Sequence, residues 1–412
     1  MISRSDSARL AAGVLSVALS MAALPVLADD ESHAVWRLFV TDHQAGRVTA
    51  LDAASGAVLG VFPTRGYVTH LTPSDSGATL FAVQMDHDMV QVIDSGIRLS
   101  DHGDHSDLTL GDPRLLAVEL AGQRPVHTVP HGDELVQFYD RDGAARIYHE
   151  GALLDGDARH ETVRATAPVH GVAVPMDGYM LMAEPDMAAA TAPGDLPPRL
   201  GLSVLDRHGD RVGDPAICTG LHGEAASAGL VAFGCAEGVL VAAPQAGAAP
   251  RLTLLAYGED MPEGQVGTLL GGRALQVFLG NYGDRRVVII DAGAQDPFQV
   301  VDLPVRRVDF ALDPVRATTA YIFTEDGQIH TLDLLSGALT RSARITDPYS
   351  KDGHWRDPRP RLAVMGDEIA VTDPRAGLVR VLDAETLLER RTIPVDGVPF
   401  NIVAVGGTGL SH

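Results

Sequence analysis

Four of the sixteen histidines in this 412-residue chain recur in one local setting: Val68-Thr69-His70-Leu71, Pro125-Val126-His127-Thr128, Pro168-Val169-His170-Gly171 and Leu221-His222-Gly223-Glu224. Neutral imidazole is the commonest metal ligand near neutral pH. Three or four imidazoles meeting at one point make a tetrahedral zinc shell, with Zn–N distances of about 2.0–2.1 Å. One such histidine alone is better explained by local hydrogen bonding. Three in equivalent positions reverse that preference, because desolvating several imidazoles with nothing to share is unfavourable. His127, His170 and His222 are therefore the expected zinc ligands, and His70 or His131 stands as a substitute if the register is off.

A second cluster, Asp101-His102-Gly103-Asp104-His105-Ser106-Asp107, is built of glycine and small polar residues that mark a loop. His102, Asp104 and His105 suit zinc, and a loop ligand would be movable. The plainer reading is a solvated acidic loop with weak metal affinity. Asp86-His87-Asp88 and His131-Gly132-Asp133 are shorter relatives of it. Met176, Met180, Met182 and Met187 offer the thioethers that copper(I) prefers, but the period-two spacing of Met180 and Met182 is that of core packing. Cys218 and Cys235 are the two cysteines. A disulfide is the expected state. Two thiolate ligands are the alternative, though no second CxxC-type pair completes a thiolate zinc site.

The elements that must position these residues repeat along the chain. Arg37 to Phe62 (RLFVTDHQAGRVTALDAASGAVLGVF), Leu80 to Gly96, Leu275 to Gly293, Ala320 to Leu339 and Glu368 to Ile393 are all pairs of short apolar runs. In each, the runs are joined by a turn with Asp or Gly, the pattern of half-buried strands. A further strand leads each pair, beginning near His70, His127, His170, His222, Gly267, Asp309, Leu362 and Asn401. Four strands per unit at about 40–57 residues is the signature of a propeller blade. The expected fold is all-β, a β-propeller with eight blades of four-stranded antiparallel sheet. It becomes seven if a weak unit such as Gly267 onward is misread. The last leading strand lacks partners and the first three strands lack a leader, so N- and C-terminal strands are expected to share the blade that closes the ring. The histidine-rich loop falls inside the second unit.

Residues 1–28 read as a signal peptide: Arg4 and Arg9, an apolar run from Leu10 to Leu27, and Val26-Leu27-Ala28 as the cleavage site. Residues 29–412 are expected to form a single propeller domain, monomeric, periplasmic, and free of membrane insertion once the leader is removed. The chain carries a net charge of −22, and Lys351 is its one lysine. Such a surface repels phosphate backbones, which argues against nucleic acid as a partner, and attracts metal cations or basic surfaces.

The segments HGDHSDL (His102 to Leu108), PVHGVAVPMDG (Pro168 to Gly178), CTGLHGEAASAGLVAFGC (Cys218 to Cys235) and PFNIVAVGG (Pro399 to Gly407) resemble the AztD family of periplasmic zinc metallochaperones, over essentially the whole mature chain. The resemblance implies Zn²⁺ as cargo, no catalysis, and delivery to an AztC-like solute-binding protein of a zinc ABC transporter. Some members carry a His-rich segment near the mature N-terminus, where this chain has only His33. Two other readings compete. A lactonase-like propeller hydrolase would keep an open metal position for water. A non-catalytic scaffold would use a propeller face, with the aromatic and charged stretch Asp347 to Pro360 as a contact surface or, more simply, a long connector.

Overall fold

A computed structural model describes residues 32–101, 106–272 and 275–411. Eight sheets make an eight-bladed propeller: seven have four antiparallel strands each, six of them from consecutive sequence, and the sheet that closes the ring has four antiparallel strands extended by two from an insertion in the second blade. The leading strands are His70–Pro73, Pro125–His131, Ala173–Met176, His222–Ser227, Leu269–Leu270, Arg307–Leu312, Leu362–Met365 and Pro399–Ser411. Numbering blades from the N-terminus, the first of these opens blade 2, and Pro399–Ser411 completes blade 1.

Burial explains why these residues make these strands. The second strand of blade 2, Thr79–Gln84, is buried at every position, because both of its faces pack on other apolar surfaces. The outer strand Arg114–Ala121 alternates buried and exposed residues, as a strand with one wet face must. Between blades, side chains interdigitate: Phe138, Val169, Leu181, Leu202, Leu221 and Phe233 form one continuous core across blades 3 to 5. Met176, Met180 and Met182 belong to that core, so packing accounts for them, while Met187 is exposed.

Closure is antiparallel pairing of Ser32–Asp42 with Pro399–Ser411, in register from Ser32↔Leu410 to Val40↔Ile402, with a register shift before Asp42↔Pro399. The insertion in blade 2 leaves its own sheet. Its strands Ile97–Asp101 and Ser106–Leu110 form a hairpin, and the second lies parallel to the end of the closing strand (Asp107↔Leu410, Leu108↔Ser411). Ile97 and Leu108 bury against the Phe39 and Val405 core. Chain order assigns the insertion to blade 2, but buried apolar surface attaches it to blade 1.

The stretch 347–360 is more than a connector. Arg359 is buried and donates hydrogen bonds to the carbonyls of Ser350, Asp352 and His354, holding the stretch in one shape. Arg356 forms an ion pair with Asp86 of blade 2, and His43 Nε2 donates to the Arg356 carbonyl at 2.6 Å.

Cys218 and Cys235 form a disulfide with Cα atoms 4.8 Å apart, tying the residues just before His222 to the end of the neighbouring strand Leu230–Gly234. The bridge closes a loop with a sequence separation of 17, and a loop of that length is worth roughly 3 kcal/mol through the unfolded state. The Cys218→Ala/Cys235→Ala variant is expected to lose about that much in denaturant unfolding, with far-ultraviolet circular dichroism unchanged.

Candidate metal centre

The first residues of blades 3 and 5 are bulged. The pairing register shifts between Pro125 and Thr128 and between His222 and Glu224, and such bulges re-aim side chains. Gly223 sits in the second bulge at φ +76°, with the Gly267 carbonyl 2.9 Å from where a Cβ would stand. Only glycine fits a left-handed backbone so close to its neighbour. The irregularity presents both His222 and Glu224 to the space that His127 faces.

His127, His170 and His222 converge. Their ring centroids are 5.4 Å (His127–His170), 5.6 Å (His170–His222) and 6.3 Å (His127–His222) apart. Tetrahedral Zn–N bonds of about 2.0–2.1 Å put ring centres about 5 Å apart. The rings therefore stand a few tenths of an ångström to about one ångström wider than a bound shell. Among the described residues no three metal-binding side chains stand in a finished coordination shell. The three histidines, with Gly171, Leu221 and Glu224, enclose a cavity of about 10 Å³, the scale of one water molecule or ion.

Two of the three outer nitrogens are committed. His170 Nδ1 donates to Asp140 Oδ2 at 2.7 Å. The Asp140 carboxylate is fully buried and also accepts from Arg124 Nε at 3.2 Å. His222 Nδ1 donates to the Gly267 carbonyl at 2.7 Å, and His127 Nδ1 lies 3.6 Å from Glu224 Oε2. Occupying Nδ1 with a carboxylate or a carbonyl fixes the tautomer and leaves Nε2 for a metal, as the partners of ligating histidines ordinarily do.

The charge states fit a cation site. Burial opposes the His127 imidazolium, but the Glu224 carboxylate, with Asp140 further off, outweighs it and raises the pKa above the ordinary value. Burial lowers His222, the bond to Gly267 offsets part of this, and the neighbouring histidines and Arg199 lower it further. Burial first, then His127 and the Arg361 guanidinium, push His70 down to about 3, so it is a neutral imidazole. His70 lines the larger central cavity, about 640 Å³, together with His127, His222, Trp355, Arg361 and Asn401, but not the small one.

His131 does not replace His127. It is exposed and four residues further along the same strand, about 13 Å away at strand rise. His102, Asp104 and His105 lie outside the described residues. Their flanking strands pair at Leu410 and Ser411, nine and ten residues along the closing strand from Asn401. Asp140 and Glu224 are the residues that sequence reasoning missed. Glu224 sits two positions from His222, and a bulge there was the signal. Asp140 opens the turn Asp140-Arg141-Asp142-Gly143, where an aspartate looks like ordinary turn chemistry.

No family model matches the chain. A zinc chaperone, AztD from Citrobacter koseri, is 43% identical over 404 residues, spanning 98% of this chain and 94% of that protein. The crystal structure of Citrobacter koseri AztD superposes with a TM-score of 0.88 at 44% identity, covering 92% of this chain and all of that one. The apo form from the same organism gives 0.86 at 42% identity, over 92% and 99% of the two chains.

Asp140→Asn keeps the shape of the buried side chain but removes the acceptor charge behind His170. Loss of such a partner ordinarily costs 10–100-fold in metal affinity. Competition against a chromophoric chelator should show a Zn²⁺ affinity at least tenfold weaker, with thermal unfolding still cooperative.

Proposed function

The chain belongs to the AztD family of zinc chaperones, and from that footing we propose that it carries one Zn²⁺ on His127, His170 and His222 and passes it to the solute-binding protein of a zinc ABC transporter in the periplasm. The observation that supports this most directly is the convergence of three imidazoles, two of them held at Nδ1 by Asp140 and Gly267 and the third with Glu224 beside it. The leader at residues 1–28 and the Cys218–Cys235 bridge fit an oxidising, exported setting.

Carriage and release make opposite demands. Preorganised rings lower the entropic penalty of binding, while three protein nitrogens leave one position of a tetrahedral ion free. Glu224 is the nearest carboxylate to that position and lines the same cavity. An acceptor's side chain entering the free position would replace one imidazole at a time, so the ion never needs full hydration. The half-buried Arg199 guanidinium acts on both His127 and His222, and its charge keeps affinity below what the ligand set alone would give.

Purified protein should hold one Zn²⁺ per chain by elemental analysis, and His127→Ala, His170→Ala and His222→Ala should each reduce this to a small fraction. Full stoichiometry in all three variants would refute the site. His105→Ala tests the histidine-rich loop separately: unchanged affinity keeps the site on the strands, and a tenfold loss makes the loop a ligand. Stepwise handover predicts that transfer to the solute-binding protein outpaces transfer to a small chelator of equal affinity, by stopped-flow fluorescence; equal rates would mean simple dissociation.

Protons compete with the metal for these rings. Because the folded His127 pKa is raised, the proton occupies it from a higher pH than in a free imidazole. Zn²⁺ affinity should therefore begin to fall above the ordinary histidine range of about 6.5 and keep falling as pH drops. A flat affinity between pH 8 and 6 would contradict this.

A further inference from the structure

One blade further round the ring from His222, this acidic chain gathers cations. A cavity of about 470 Å³ opens between blade 6, the start of blade 7 and the 347–360 stretch, lined by Asn281, Arg307 and Lys351 among others. Arg307 is half-buried, its Nε is buried without a hydrogen-bond partner, and among the described residues its guanidinium has no ion pair. It rests over the Phe310 ring at 4.7 Å. The ammonium of Lys351 likewise has no ion-pair partner among the described residues. Burial, then the guanidiniums of Arg307, Arg359 and Arg361, bring it down to about 8, the mark of positive groups crowded without enough countercharge. Asp309, whose charge acts on both, already pairs with Arg361 at 3.3 Å.

Asn281 completes the arrangement. Its Oδ1 accepts from the backbone N–H of Gly267 at 2.8 Å and of Thr268 at 2.6 Å. With the oxygen fixed, the amide Nδ2–H₂ is the end left to donate. Glu263 and Asp284 also line the cavity, but both are exposed at its rim, where water screens them, and neither forms an ion pair with Arg307 or Lys351. The inner wall is thus a guanidinium, an ammonium and an amide, all donors. Half-buried cations crowded without ion pairs favour a counter-ion, and Arg with Lys is the usual means of binding carboxylate or phosphate oxygens.

We infer that this cavity is a binding site for a small oxyanion, a carboxylate or phosphate group held by Arg307, Lys351 and the Asn281 amide. The site does not depend on the histidines, although Gly267 links the two regions: its N–H is held by Asn281 and its carbonyl accepts from His222.

Isothermal titration calorimetry at low ionic strength, with sodium phosphate and separately with sodium malonate, tests the assignment. At least one anion should bind saturably at one site per chain, with chloride at equal ionic strength giving no saturable heat. Arg307→Gln and Lys351→Met should each weaken that binding at least tenfold. Because each removes an unpaired cation, neither should lower the unfolding temperature of the anion-free protein. Phosphate alone binding identifies a phosphate site, and malonate alone identifies a carboxylate site. No saturable binding of either, or variants that bind as tightly as the parent, would overturn the inference. If Arg307→Gln does not fold, Lys351→Met carries the test.

Discussion

The pairing of Ser32–Asp42 with Pro399–Ser411 holds everything else in place. Each blade alone is a small twisted sheet whose two faces need neighbours. Seven can be stacked from consecutive sequence, but the eighth exists only if the two ends of the chain meet. Closure removes the open flank of the first and last sheets and fixes the axis on which the leading strands converge. His127, His170 and His222 come from three different blades, so their spacing reports the curvature of the whole ring. No local segment could hold three rings within 5.4–6.3 Å of one another if the ring were open.

Within that frame, fine positioning belongs to irregular backbone and to second partners. A regular strand would alternate His222 and Glu224 with Gly223 between the blade faces. The bulge and the left-handed glycine shift the register between the two, and both side chains still line one cavity. Asp140 then orients His170 from the end of a strand in the preceding blade, while Gly267 orients His222 from the following one. Each imidazole is therefore set by an element other than its own. Reduction of the Cys218–Cys235 bridge would loosen His222 from a direction unrelated to the metal.

Much of this was legible in the sequence. Eight leading strands, their order, the shared closing blade and the disulfide follow from repeated strand–turn–strand units and two cysteines, because a blade's hydrophobic pattern is local. Residues at the centre were harder to read. Asp140 resembles a turn aspartate until the fold brings it under His170, and a neighbour thirty residues away leaves no spacing signal. The insertion carrying Ile97 and Leu108 was assigned by chain order to blade 2, whereas its attachment is decided by which core buries those two side chains. The 347–360 stretch looked like a connector because its contacts, Arg356 with Asp86 and with His43, reach across the ring, and such contacts have no period. His131 shares a strand and a face with His127, and only distance along the strand separates their roles.

The interior of the ring is electrically lopsided. One arc, blades 3 to 5, holds three imidazoles backed by the carboxylates of Asp140 and Glu224. Elsewhere in the ring, Arg361 lines the central cavity with His70, His127 and His222 and pairs with Asp309, while Arg307 and Lys351 line a separate cavity. His70 lies within reach of the basic side and is held neutral by burial, by His127 and by Arg361. It has the right chemistry to bind a cation but the wrong field in which to do so. For the proposed site, this means that a divalent ion entering the channel would be driven toward the carboxylate-backed arc and away from the basic one. A protein with a net charge of −22 attracts cations over its whole surface, and that attraction alone would not select a site. The gradient across the axis is what selects one, since it makes a single arc of the ring favourable and leaves the remaining histidine of the channel outside it.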